Sequence, residues 1–165
     1  MTHGKNDAQP CCPKFNPEPW DGRTLEWKNK PFILRTTPQI FHMPLLPLYA
    51  RTVARMWERT RGAGAALPEA DFLLLAHDPS PWKSELYMAT ATEVPGERNV
   101  TLSGTFFCRV FDGPYRGVPK WIREVNGQVA GQGRRVLKYY IYFTTCPKCA
   151  RIYGHNYSIV LAETQ

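Results

Sequence analysis

One ordering of apolar runs and breakers occurs twice in this chain, and it limits the folds open to it. Phe32-Ile33-Leu34 through Phe41-His42-Met43 predicts a strand, bent where Pro38 interrupts it. Pro44 and Pro47 then open a helix to about Thr60, because proline is tolerated in a first helical turn. Tyr49, Val53 and Met56 give that helix one apolar stripe, and Gly62-Ala63-Gly64 ends it. Phe72 to Ala76 is short and apolar, hence a buried strand; Asp78-Pro79-Ser80-Pro81 is a turn; Glu85 to Glu93 is the next strand, before a turn at Pro95-Gly96.

The order then repeats. Val100 to Phe111 is a strand and Asp112-Gly113-Pro114 a turn. Val118 to about Ala130 is a helix with Val118, Ile122, Val125 and Val129 on its apolar face, stopped by Gly131 and Gly133. Val136 to Thr144 and Tyr157 to Ala162 are the closing strands. Two halves, 31–93 and 99–163, thus read strand–helix–strand–strand. Each has only about 65 residues, too few to bury much core alone, so the halves share one core in a single domain, 31–165. The run Tyr139-Tyr140-Ile141-Tyr142-Phe143 is apolar on both strand faces, as expected when neither face is freely solvated. The fold class is therefore α+β. Ahead of it, residues 1–30 are polar, rich in Pro and Gly, and read as an extended arm.

The net charge of +7 would attract anions, but the basic residues are scattered. Arg51, Arg55 and Arg59 recur at helical spacing as one solvated face, which argues against a nucleic-acid partner on charge alone. No basic start is followed by an apolar stretch, and no apolar run approaches about 18 residues. The expectation is a cytoplasmic protein without a membrane partner. Five cysteines then stand in a reducing compartment rather than in a disulfide framework.

The repeated plan resembles the GyrI-like family of small-molecule-binding proteins. Gly113-Pro114-Tyr115 after a long strand, and a helix closing on Gly131-Gln132-Gly133, look like that family's second module; His77-Asp78-Pro79 resembles a turn of its first. The resemblance covers about Pro31 to Gln165. It implies tandem strand–helix–strand–strand (SHS2-type) modules, an antiparallel sheet, and two helices flanking a central ligand cleft. Cys11-Cys12-Pro13-Lys14-Phe15, Ser80-Pro81-Trp82, Ser103-Gly104-Thr105-Phe106 and Thr145-Cys146-Pro147-Lys148-Cys149-Ala150 look like the subfamily of cyclopropanoid cyclopropyl hydrolases. Such enzymes open the cyclopropane of DNA-alkylating natural products of the yatakemycin and duocarmycin type, giving self-resistance or detoxification. Cation-binding members of the wider family carry a buried Glu on the penultimate strand; here Tyr140 stands there, which weakens a cationic-drug-sensor reading. The residues before Pro31 are also too few for a helix-turn-helix domain.

A cyclopropane conjugated to a dienone opens when a donor polarises the carbonyl and a carboxylate takes a proton from the attacking water. That kit is flat aromatic walls, one neutral donor and one carboxylate, without a cofactor. Trp82, Tyr87, Phe106, Trp121, Tyr140 and Tyr142 are the candidate walls, Glu124 or Glu85 the base, and Tyr140 or Tyr142 the donor. Tyr140 and Tyr142 share a strand face, as do Glu85 and Tyr87. Trp121 and Glu124 lie three apart on the second helix, beside its core stripe, where they would face the cleft. The other readings are a binding protein that sequesters aromatic drugs unchanged, and a zinc-ribbon-like nucleic-acid binder.

Cys146-Pro147-Lys148-Cys149 has the spacing of half a tetrahedral zinc site, and Cys11 with Cys12 could supply the other half if the arm folds back. A redox pair, or reduced cysteines in a tight turn, fit the same spacing. Cys108 alternates with aromatics in a strand and belongs to the core. No histidine pair has zinc-protease spacing, Ser103-Gly104 lacks the surroundings of a nucleophile elbow, and there is no Gly-rich phosphate loop.

Overall fold

The computed structural model describes residues 10–165; the first nine residues of the expected arm, His3 among them, lie outside the described residues. The elements are β1 (Thr24–Ile40), β2 (Met43–Pro44), α1 (Leu46–Gly62), β3 (Leu74–Ser80), β4 (Lys83–Ala89), β5 (Asn99–Asp112), α2 (Val118–Gly131), β6 (Val136–Phe143), α3 (Pro147–Tyr153) and β7 (Tyr157–Thr164). The long ones come in the expected order, and β2 and α3 are additions to it.

Every strand pairing is antiparallel. The sheet runs β2-β1-β4-β3-β6-β7-β5, and β5 returns to pair with β1, which closes it into a barrel. The two halves share one pairing logic. In the first, β4 lies between β1 and β3; in the second, β7 lies between β5 and β6. The halves meet along a β1–β5 ladder and at β3–β6. Closure leaves little unpaired strand edge except at the β3–β6 seam, where a single pair registers.

Strand alternation then sorts the side chains into three apolar clusters. Phe32, Leu75, Tyr87, Phe106, Tyr140 and Leu161 belong to the barrel interior. Outside it, Met56 with Tyr49 and Val53 of α1 cover Ile33, Leu86 and Met88, as the helical stripe predicts. On the other half, Trp121, Val125 and Val129 of α2 cover Phe107, Ile141, Val160 and Ala162. The aromatic run on β6 splits accordingly, with Tyr140 and Tyr142 inside the barrel and Tyr139, Ile141 and Phe143 beneath α2.

The structure moves several boundaries. β1 begins at Thr24, inside the expected arm, because Leu25 and Trp27 alternate inward while Thr24–Trp27 pair with Phe107–Gly104. The register shifts between Trp27 and Lys30, with Asn29 at φ 51, and that irregularity between polar residues hides the strand in the sequence. The expected strand end at Phe41-His42 is a tight hairpin turn, both residues having positive φ (49 and 63), between the paired Ile40 and Met43. β3 continues through Asp78-Pro79-Ser80, where a turn was expected, and turns instead at Pro81-Trp82. Beyond Ala76, β3 has no ladder partner on its β6 side, so Pro79 costs no cross-strand bond there. β4 stops at Ala89 rather than Glu93. Trp121 is a core residue, not a residue beside the stripe: its ring stacks on Phe111 at 5.2 Å and 8°. Gly113 and Gly117 supply the room for that ring. The cysteine segment forms a short helix, α3, rather than a turn.

Candidate active site and cysteine cluster

A polar chain is set into the ring-lined interior of the barrel. Glu85 and Tyr87 lie two apart on β4, so both point inward, and the Tyr87 hydroxyl donates to Glu85 Oε2 at 2.8 Å. Lys138, two residues before Tyr140 on β6, donates from Nζ to the Tyr87 hydroxyl at 3.3 Å. Its ammonium lies 5.5 Å from the Tyr87 ring centroid and 5.2 Å from that of Tyr140. A cation at that distance is attracted to the negative face of each ring. The rings are perpendicular, with centroids 5.5 Å apart.

Around this chain stand Phe106, 6.1 Å from Tyr140, and Trp27, 4.5 Å from Phe106. His77 approaches Tyr140 at 5.8 Å, with Nδ1 2.9 Å from the Tyr139 carbonyl oxygen. Burial holds the His77 imidazole below its ordinary value, so it is neutral near pH 7 and donates to that carbonyl. Glu163 shares an alternation face with Leu161 and registers with Lys138 on one side and Phe106 on the other. Burial pushes both the Tyr140 and Tyr87 hydroxyls well above the ordinary tyrosine range, and at Tyr87 the hydrogen bond to Glu85 adds to it. Both are therefore neutral donors rather than phenolates at physiological pH. The rings touch one another, so the interior is closed on itself in this conformation.

The residues singled out from sequence divide by place. Glu85, Tyr87, Phe106 and Tyr140 come together. Tyr142 faces the same interior, but its hydroxyl donates to the Phe72 carbonyl at 3.2 Å, and burial pushes it up to about 12. Trp82 stands at the β3–β4 turn, 55% exposed, packed on Phe41 at 4.8 Å. Trp121 lies on the opposite side of the sheet, and Glu124 is exposed on α2. Helix α2 covers the barrel from outside, so that flank cannot wall the same space as Tyr140. Lys138, Glu163 and Trp27 were missed. Parity with Tyr140 and with Leu161 marks the first two; Trp27 was hidden in the apparent arm.

At the other end of β6 lies a separate cluster. The Sγ atoms of Cys11, Cys12, Cys146 and Cys149 all lie within 4.8 Å of one another, so they could hold a metal ion. Cys11 Sγ is 3.6 Å from that of Cys146 and 3.5 Å from that of Cys149. The Cys12 amide donates to Cys149 Sγ at 3.3 Å, and the Cys146 amide to Cys12 Sγ at 3.5 Å. Burial opposes a thiolate at Cys149, but the Cys12 amide and the neighbouring thiols outweigh it and bring it down to about 7. Cys12, penalised first by burial, is pushed up to about 12. Nearby, a groove of about 410 Å³ runs between the arm and α3, lined by Lys14, Phe15, Asn16, Pro17, Tyr153, His155 and Tyr157. No helix among the described residues is long and apolar enough to cross a membrane.

Comparison with known proteins places this geometry. No curated protein matches the chain. Among solved structures, the C-terminal domain of EcmrR superposes with a TM-score of 0.66 at 10% identity, covering 88% of this chain and 98% of that one. A hydrolase encoded by lin2189 from Listeria innocua superposes with a TM-score of 0.60 at 8% identity, covering 88% and 93%. An uncharacterized conserved protein from Listeria innocua gives 0.62 at 8% identity, covering 87% and 91%. At such identities the likeness is one of fold, and it is consistent with the GyrI-like expectation. The family model described as "Bacterial hydrolase" matches residues 2–164, and with that match over nearly its whole length the chain belongs to the bacterial hydrolase family.

Proposed function

We propose that this protein is a hydrolase of flat aromatic compounds that opens the cyclopropane ring of DNA-alkylating natural products by adding water. The observation that carries the reading is the Lys138–Tyr87–Glu85 hydrogen-bonded chain inside an aromatic lining. It combines a carboxylate, neutral phenolic donors and π-faces, which is the set such a reaction needs. The family membership and the likeness in fold to a hydrolase from Listeria innocua support the reaction class.

In this reading a planar ligand takes the place of the Lys138 side chain over Tyr87 and Tyr140. Tyr140, neutral because it is buried, donates to the dienone carbonyl. Water attacks the ring CH₂ and the strained C–C bond breaks. Its electron pair passes through the conjugated system to the carbonyl oxygen, which becomes a phenolate held by the Tyr140 hydrogen bond, while Glu85 takes the proton from water. That proton then returns through solvent to the phenolate, which leaves as a phenol, and the Glu85 carboxylate is restored. Tyr87 holds the Glu85 carboxylate in place, leaving the other oxygen free to accept. The product is heavier by one water. Stabilising charge only as it develops on the oxygen lowers the barrel's barrier to reaction without tightening ground-state binding. The step uses no cofactor. Zinc at the four cysteines, at the far end of β6, would serve the scaffold.

Mass spectrometry after incubation with yatakemycin tests the proposal, with a gain of one water expected. Glu85→Gln is expected to lower turnover by roughly 10²- to 10⁴-fold while ligand binding survives. Glu124→Gln, on the exposed face of α2, should stay near full activity. Full turnover in Glu85→Gln removes that carboxylate from the mechanism, and loss in Glu124→Gln moves the base to the helix. A second reading, binding without turnover, draws on Lys138 lying over two tyrosine faces, which marks a seat for an electron-poor ring. A bound ligand of unchanged mass would decide for it.

A further inference from the structure

The four cysteines join two segments far apart in sequence, and what they join matters as much as what they hold. We infer that Cys11, Cys12, Cys146 and Cys149 bind one zinc ion, and that this ion clasps the N-terminal arm as the plug of one barrel end. The inference is independent of the hydrolytic reading.

The geometry supports the ion. A tetrahedral zinc with sulfurs at about 2.3 Å sets those sulfurs about 3.8 Å apart. Cys11 Sγ lies 3.6 and 3.5 Å from the sulfurs of Cys146 and Cys149, and all four are within 4.8 Å. Two backbone amides already donate to sulfur, from Cys12 to Cys149 and from Cys146 to Cys12. Such bonds stabilise thiolates and orient them as ligands. Four soft donors leave no open position for water, the pattern of a structural rather than a catalytic zinc. Lys14, Lys148 and Arg151 sit beside the cysteines in the chain and offset the negative charge of a four-thiolate site.

The plug lies immediately beyond. Tyr153 donates to the Cys12 carbonyl, tying α3 to the arm. Phe15 packs on Tyr157 at 5.8 Å, and Trp20 meets Tyr142 edge-on at 6.4 Å. Both rings rest on the interior cluster, so they close the barrel at the end opposite Lys138. Past them the arm is stitched to β5, through Gly22 N–H to the Cys108 carbonyl, Cys108 N–H to Arg23, and the Asp21–Arg109 ion pair. Between Cys12 and Asp21 few such bonds hold the arm, and the ion anchors the loose side.

The experiment uses the full chain without a histidine tag. Metal analysis should give one zinc per chain, and cobalt in its place should show thiolate-to-metal charge transfer and the visible bands of a tetrahedral site. Removing the metal with a chelator should speed tryptic cleavage after Lys14 by about tenfold and change Trp20 fluorescence, since the arm then opens locally. Cys149→Ser and the milder Cys11→Ser, at the exposed corner, should each lose stoichiometric metal. Protein that is isolated folded and metal-free, before any chelator, with the four thiols titratable overturns the site, as does a mass two hydrogen atoms lighter, which would mean a disulfide. One zinc per chain with unchanged cleavage after its removal overturns the clasp alone.

Discussion

Glu97 shows what one carboxylate can hold together. It accepts two hydrogen bonds from Arg35 of β1, at 2.9 and 2.7 Å, and one from Arg59 of α1 at 3.1 Å, with its side chain only 3% exposed. The Arg35 hydrogen bonds outweigh burial and keep its carboxyl below the ordinary value of 4.5. The unfolded chain therefore binds this proton more readily than the folded one. The stabilisation is fully present above about pH 4.5 and is lost as pH falls through the lower folded value. Glu97→Gln should flatten the dependence of Tm on pH in that acid window and cost about 2 kcal/mol at neutral pH. A Tm profile as steep as wild type would remove Glu97 from the acid response. At this scale residue type says little about place. Trp82 and Trp121 look alike in the sequence, yet one stands in solvent and the other under a helix.

Glycines around α2 separate backbone cost from packing cost. Gly117, just before the helix, has an ordinary φ of -75, but a Cβ there would lie 2.8 Å from the Trp121 ring. Gly117→Ala should therefore destabilise the fold by about 1–3 kcal/mol through displacement of that ring from Phe111. Gly127, exposed in the same helix, has nothing within 4 Å of such a Cβ. Gly127→Ala should instead stabilise by about 0.5–1 kcal/mol, because alanine loses less backbone entropy. Denaturant melts of the two variants check both signs, and equal effects would mean that the Trp121 contact is not what matters. Elements were legible where periodicity ran long, as in α1, α2 and β5. Helix α3 carried its signals too, with Pro147 in the first turn and Gly154 in the left-handed conformation after the last. At seven residues it was too short for a stripe to show beside the cysteine spacing.

The barrel as a whole closes unevenly. β1–β5 and β5–β7 are long ladders, whereas β3 meets β6 at the single registered pair Ala76–Ile141, helped by the His77 bond to Tyr139. This seam joins the two halves and is the expected first opening. In native-state hydrogen exchange, seam amides near Ala76 and Ile141 should be protected by about 2 kcal/mol less than those at the centre of β5–β7, roughly 30-fold in rate. Uniform protection would show instead that the barrel opens only as a unit.

The sequence by itself determined the type and order of the long strands and of the two long helices, and the apolar stripe of each of those helices apart from Trp121. Those follow from local periodicity and from where proline and glycine interrupt it. Only the tertiary structure decided that the sheet closes, that Lys138 meets Tyr87, itself bonded to Glu85, and that Trp121 and Glu124 belong to another surface. Those depend on register and on which strands become neighbours, set by long-range packing that no local pattern encodes. The cysteine pairs stand between the two cases: their spacing was readable, but their meeting required the arm to fold back across the barrel.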